Sequence, residues 1–424
     1  MDSSSRPRLD ALTGLRYVAA LTVLLAHMGH NMPLNEKDKL FVVVLSAIGM
    51  PLFFVLSGFL MAYNYSTGFR DRFGRTLRSY YVARFARIYP VYAVSLLLYL
   101  SVTGCFFNDL KDHPDDTRKS LRYVSTLTQS WAHAPVFQGT HNPRPVSQAY
   151  MGVAWSVSTE AFFYLVFPLV VLPLARFVTG RGRMLAGAAA VYLAYLVAGY
   201  LIFNAIPPEV REGPDWGNSR GWWMIYLCPY MRFGEFLIGA FVGQYFLRTA
   251  DRPAPTGRRW WAGAGLLAAA VVLFVGGNYR LLLPHEFGAG PTPRWVIMAA
   301  MNVLYAPLAA VVILQLAAFP SLAQRAMGCR LMVLLGEMSY CMYLLHPLAQ
   351  TFYHGRAVGE GPLKTWYVVL YNNLALVAVL HLMCLGMYRY IELPARTAIR
   401  NLLDPKPKRT LQVVPADAPA KRAA

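Results

Sequence analysis

Apolar residues run through this chain in stretches too long for a soluble core. Windows of about 20 apolar residues, the length that a bilayer's hydrocarbon demands of a helix, recur at 12–30, 41–63, 87–104, 156–176, 184–204, 223–247, 260–277, 296–318, 331–353 and 366–390. The pattern predicts an all-α, polytopic membrane protein of about ten transmembrane helices. An even number of crossings puts both termini on the same side. The polar segments then fall into two sets of unequal charge. The set that includes both tails carries about 24 Lys and Arg against about 7 acidic residues, and the other about 13 against 11. The positive-inside rule assigns the first set, and so both termini, to the cytoplasm. The expected organisation is a short cytoplasmic tail at 1–11, a membrane domain at 12–397 and a disordered basic cytoplasmic tail at 398–424, whose Pro/Ala-rich end shows no apolar periodicity.

The first run, LTGLRYVAALTVLLAHMGH, contains both Arg16 and His27. Eleven steps are about three helical turns, so the two share one face, separated by roughly 16 Å along the axis. Ionisable groups in hydrocarbon usually face a protein interior or a wet cavity, which makes both functional candidates. The plainer alternative is a snorkelling arginine and a satisfied interface histidine. The fourth run opens WSVSTEAFFYL, placing Glu160 about one turn inside it, with Ser156 and Tyr164 one turn to either side on the same face. In the ten-helix topology Glu160 and His27 fall at matching outer depth, as a general base and its orienting partner require. A helix N-terminal charge is the competing reading of Glu160.

Other polar positions divide by spacing. Arg84 and Arg87 are three apart where the third span leaves the cytoplasm, and guanidinium forks suit phosphate, whereas Arg70, Arg72, Arg75 and Arg78 read as contacts to lipid headgroups. Gly49, Pro51, Ser57 and Gly58 interrupt the second span and read as packing positions. Arg232 and Glu235 read as a structural ion pair, Ser339 and His346 as one-face neighbours with His346 a rival base, and Glu392 with Arg396 as a clasp at the cytoplasmic surface.

Composition narrows the class further. With 56% hydrophobic and only 14% charged residues, the chain is too apolar for a soluble domain, so its net charge of +19 reflects topology rather than a nucleic-acid partner. Five scattered cysteines imply neither a disulfide framework nor a zinc site. The long connection at 104–154 holds His113, His133 and His141, spaced 20 and 8 apart, which puts no two on one helical face as metal ligands; they read as loop residues shaping a lid. The amino-terminal run has no clear small-residue cleavage site and is expected to be a retained first span. No internal repeat is evident.

Seven segments in order, RLDALTGLRYVAALTVLLAH, FFVLSGFL, RFARIYP, WSVSTEAFFYLVFP, RFGEFLIG, GEMSYCMYLLHPL and ELPAR, resemble the acyltransferase-3 superfamily of integral membrane acyltransferases. SVSTEAFFYL departs from the usual SLSVEEQFYL: Glu160 matches the first acid and Ala161 replaces the second. The resemblance implies a ten-helix protein of the cell membrane that moves an acyl group, usually acetyl, from coenzyme A to a hydroxyl of a sugar or natural product. It implies a catalytic role for Arg16 and His27, joined by Glu160, and handling of the acyl donor by Arg84 and Arg87. Trp155, Tyr164, Ser339 and His346 are the candidate acceptor contacts. The resemblance implies acyl-CoA as a co-substrate with no permanently bound cofactor; some relatives append an extracytoplasmic esterase-like domain, which is not expected here, so the chain is expected to act alone or with a separate partner. Macrolide or other antibiotic sugars and cell-surface polysaccharide are both open as acceptors. Two alternatives stay beside direct transfer: a transient acyl adduct on His27 or Ser57, and an exporter of a glycosylated or lipidic small molecule.

Overall fold

The computed structural model describes residues 7–29, 36–137, 144–177, 179–212, 216–249, 302–354 and 366–404. Its helices are α1 (Asp10–Gly29), α2 (Glu36–Asp71), α3 (Phe73–Thr103), α4 (Cys105–Asp112), α5 (Pro114–Ser125), α6 (Trp155–Phe177), α7 (Arg181–Ala205), α8 (Pro208–Glu212), α9 (Arg220–Trp222), α10 (Pro229–Thr249), α11 (Ala306–Ala318), α12 (Leu322–Met327), α13 (Arg330–His354), α14 (Trp366–Met387) and α15 (Leu393–Leu403). The fold is all-α, and among the described residues eight helical segments are long and apolar enough to cross a membrane. The expected span at 260–277 and residues 296–301 of the next lie outside the described residues. So do His141, the tail from 405 onward and residues 1–6.

Three differences from the sequence reading have local causes. The basic stretch before Arg87 is not a connection: α2 runs to Asp71 and α3 starts at Phe73, so only Arg72 separates two helices that extend past their apolar cores. Arginines of good helix propensity carry the helix beyond the apolar run. The connection after α3 is largely helical. Gly104 caps α3 at φ 64°, a left-handed conformation that costs glycine little, and amphipathic α4 and α5 follow. A minimal antiparallel ladder pairs Pro135 with Pro145 and Val136 with Arg144. Finally, the last span does not stop near 390. A π turn at Tyr388–Glu392 carries it into α15.

Without a hydrophobic drive between helices in lipid, close approach of backbones decides which helices touch. Glycine supplies it at two crossings. Between α2 and α10, a Cβ on Gly58 would lie 2.0 Å from the Phe236 carbonyl oxygen, and one on Gly239 would lie 2.0 Å from that of Val55. Between α1 and α13, a Cβ on Gly336 would lie 1.8 Å from the Thr13 carbonyl oxygen. These crossings draw α1, α2, α10 and α13 into a central group, with α3 and α6 closing one side. The largest cluster of buried side chains lies along that side, among Phe54, Tyr80, Tyr92, Phe163, Phe167 and Phe236. By contrast α7 buries only Met184 and Phe203.

Candidate active site

A cavity of about 710 Å³, open mouth included, sits where α1, α2, α3, α6 and α13 meet. Arg16 enters it from α1, Ser57 from α2, Arg87 from α3, Ser156, Glu160 and Tyr164 from α6, and Ser339, Tyr340 and Tyr343 from α13, with Phe53, Phe54 and Ile88 supplying apolar wall. Three of the α6 residues, Ser156, Glu160 and Tyr164, are spaced by four, so one helical face delivers all of them.

Glu160 is the polar centre of one wall. Tyr164 donates a short hydrogen bond to its Oε1, and Ser57 Oγ lies 3.1 Å from the same oxygen and 3.3 Å from the Tyr164 hydroxyl. A serine has one proton, so Ser57 donates to one of them at a time. Arg16 shares the electrostatic neighbourhood of Glu160, Tyr164, Arg84 and Arg87, and it has no ion-pair or hydrogen-bond partner among the described residues. Ser339 donates to the Gly336 carbonyl at 2.7 Å, which leaves its oxygen as an acceptor only. Tyr340 donates to the Ile88 carbonyl at 3.0 Å, tying α13 to α3 beside Arg87.

The two arginines of the third span part company. Arg87 lines the cavity, whereas Arg84 stands behind it, its guanidinium 5.5 Å from the Tyr65 ring centre and 5.4 Å from that of Tyr164, donating to the Tyr65 hydroxyl at 3.2 Å. Rings of this kind hold a cation by their negative faces. Trp155 is also outside the cavity wall. It packs edge-on against Phe54, with Arg232 5.7 Å from its ring centre.

The two histidines lie together, next to the cavity rather than in its lining. Their ring centres are 4.9 Å apart, and Tyr343, which does line the cavity, sits edge-on to His346 at 5.7 Å. His27 Nδ1 is 2.8 Å from the Val23 carbonyl oxygen, and His346 Nδ1 is 2.7 Å from that of Tyr343. A carbonyl only accepts, so both Nδ1 atoms carry a proton, and in the neutral form of either ring the lone pair is on Nε2. The orienting group at His27 Nδ1 is thus its own helix backbone one turn back, while Glu160 accepts from Ser57 and Tyr164. Nε2 of His346 is buried without a hydrogen-bond partner among the described residues.

Residues that spacing alone did not single out complete the site. Tyr343 donates to the Val153 carbonyl at 2.8 Å and receives from Ser156 at 2.5 Å. Ser57, read from sequence as packing, is a cavity residue; its four-residue offset from Met61 and Phe53 looks like any helix interface. Glu392 is a correction of another kind. It does pair with Arg396, as a clasp requires, but it is fully buried and also reaches Arg87. The π turn, invisible to a 3.6-residue count, turns its side chain inward. Arg232 and Glu235 form a buried pair at 3.2 Å, Arg232 also donating to Asn302 at 3.2 Å.

A family model described as an acyltransferase domain matches residues 9–387. Acyltransferase MdmB of Streptomyces mycarofaciens is 26% identical over 378 residues, covering 87% of this chain and 86% of that protein. The peptidoglycan O-acetyltransferase OatA of Listeria monocytogenes is 22% identical over 345 residues, 81% of this chain but 49% of OatA, so the match takes in about half of that protein. Nodulation protein 10 of Rhizobium leguminosarum is 27% identical over 221 residues, 49% of this chain and 57% of that one. No solved structure matches the chain.

Proposed function

The chain belongs to the acyltransferase-3 family, and from that membership we propose a ten-span enzyme of the plasma membrane, both termini cytoplasmic, that transfers an acetyl or other short acyl group from acyl-CoA to a sugar hydroxyl. The acceptor is a glycosylated natural product of the macrolide kind or a cell-surface polysaccharide. That OatA is a peptidoglycan O-acetyltransferase supports a carbohydrate acceptor, and the unequal loop charges support the topology.

The observation that carries the reading is a cavity, walled by helices of membrane-spanning length, that brings Arg16 and Arg87 to face Glu160, Tyr164 and Ser57. Cations held in such a place call for an anionic ligand. Acyl-CoA is one, and its thioester lies at the end of a long arm that a cavity can admit while the phosphates stay with Arg87 and Arg84. The acceptor hydroxyl then loses its proton to Nε2 of His27 as its oxygen attacks the thioester carbonyl. As the C–S bond breaks, the leaving thiolate takes that proton from Nε2 of His27, which regenerates the base, and Arg16 balances the negative charge that passes through the intermediate. The Val23 carbonyl, by holding the proton on Nδ1, leaves Nε2 of His27 as the atom that takes the proton and gives it back.

Thiol release from acetyl-CoA by purified protein, with and without a glycosylated acceptor pool, tests this. Wild type should release thiol only with acceptor, and His27→Ala should lose about 10²-fold or more, the usual worth of a positioned base. Release undiminished in His27→Ala would move the base to His346. Transport of a glycosylated molecule into liposomes with no thiol released would sink the enzyme mechanism in favour of export.

A further inference from the structure

Around the cavity four guanidiniums, those of Arg16, Arg84, Arg87 and Arg396, face two carboxylates, Glu160 and Glu392. Glu160 is engaged by Ser57 and Tyr164. Glu392 is the one that touches the arginines. Its Oε1 lies 3.4 Å from an Arg87 terminal nitrogen and 3.3 Å from one of Arg396, and the Cys341 thiol reaches its Oε2 at 3.4 Å. No part of the Glu392 side chain is exposed, whereas Arg87 keeps 17% exposure and lines the cavity.

The backbone is built to put the carboxylate there. The Leu393 N–H bonds the Tyr388 carbonyl five residues back, a π turn, and Pro394 follows with no N–H to restore the ordinary ladder. A turn one residue wider rotates Glu392 away from where an uninterrupted α-helix would aim it. It meets α3 at Arg87, whose neighbour Ile88 is itself held by Tyr340 from α13. Arg87 is thereby gripped by a charge-assisted contact while it also lines the cavity.

We infer that Glu392 is a positioning residue for the acyl donor: anchored by the π turn, it holds the Arg87 guanidinium in the orientation that receives the phosphates of acyl-CoA. The inference rests on the acyl-CoA reading above. Glu392 touches no substrate itself. Its removal frees Arg87 to swing away from the other cations, so the loss falls on recognition of the phosphates and not on the chemistry of the thioester.

The experiment compares acetyl-CoA with S-acetyl-pantetheine, which carries the same thioester without the nucleotide phosphates, in wild type, Glu392→Gln, Glu392→Asp and the exposed control Arg400→Gln. Thiol release is followed at saturating acceptor. Glu392→Gln should cut the preference for acetyl-CoA, measured as the ratio of the two kcat/KM values, at least ten-fold, through a higher KM for acetyl-CoA. Glu392→Asp should fall between, and it serves alone if the Gln protein does not fold. Arg87→Gln combined with Glu392→Gln should be no worse than Arg87→Gln. A wild-type preference kept by both Glu392 variants, or an equal fall in kcat for the two donors, overturns this inference and leaves the acyl-CoA reading standing. Wild type that releases thiol from neither donor overturns both.

Discussion

Replacing Gly239 by alanine should damage catalysis through packing alone. The added Cβ would lie 2.0 Å from the Val55 carbonyl oxygen, 2.8 Å from its carbon and 3.0 Å from the Phe59 nitrogen, all backbone atoms that no rotamer change can move. Ordinary contact begins near 3.4 Å, so α2 and α10 must separate by about 1.4 Å at this crossing. Overpacking of this kind costs about 1–3 kcal/mol, against which alanine's better helix propensity returns at most about 1 kcal/mol. Ser57 lies between Val55 and Phe59 on the displaced stretch. Its 3.1 Å approach to Glu160 and 3.3 Å approach to Tyr164 cannot survive a shift of that size in either direction. Misplacement by about 1 Å can lower turnover about 10²-fold. The assay is a thermal unfolding midpoint in detergent together with acceptor-dependent thiol release. Gly386→Ala, whose Cβ would meet nothing within 4 Å, is the control and should match wild type in both. A Gly239→Ala protein with wild-type midpoint and turnover would refute the argument that this crossing sets the cavity.

Two further outcomes follow from charges away from the cavity. Arg232→Met should lower the unfolding midpoint by the equivalent of about 3–5 kcal/mol, because it strands the fully buried Glu235, and Arg232→Met with Glu235→Leu should recover most of the loss; a single variant as stable as wild type would show that the pair is not load-sharing. In the segment after α3, burial raises the Asp109 carboxyl above its ordinary 3.8, with Arg144 at 3.2 Å pulling it only part of the way back. The folded protein therefore holds that proton more tightly than the unfolded chain, and this group's contribution to stability falls as pH rises through the raised value. Asp109→Asn should unfold at a higher temperature than wild type at pH 7 and at the same temperature below about pH 3.8; a variant less stable at pH 7 would mean the Arg144 attraction outweighs burial.

Much of the site could be read without the fold, though not its connectivity. Arg16, Arg87, Glu160 and Tyr164 stood out as polar residues in apolar runs, and all four line one cavity. The reading of Glu160 as the partner of His27 shows the limit. Matching depth is a property of two separate helices, whereas hydrogen bonding depends on how far each is rotated. Nδ1 of His27 meets an acceptor in its own helix, the Val23 carbonyl. Tyr340 and Tyr343 were lost among 26 tyrosines, since an aromatic residue in a membrane helix looks alike whether it faces lipid, a neighbour or a cavity. The pairing of Glu392 with Arg396 was legible, but its burial and its contact with Arg87 were not, because the count of residues per turn changes in the π turn that contains it.

The sequence by itself determined which segments form helices long and apolar enough to cross a membrane, because that length follows from hydrocarbon thickness and each run meets the demand alone. It also determined the charge bias of the loops and the motifs that carry family membership. Only the tertiary structure decided which polar side chains meet. Lipid and neighbouring helix are equally apolar, so hydrophobicity cannot choose a helix's partners. That choice falls to the backbone approach at Gly14 and Gly336, and at Gly58 and Gly239, between residues far apart in the sequence.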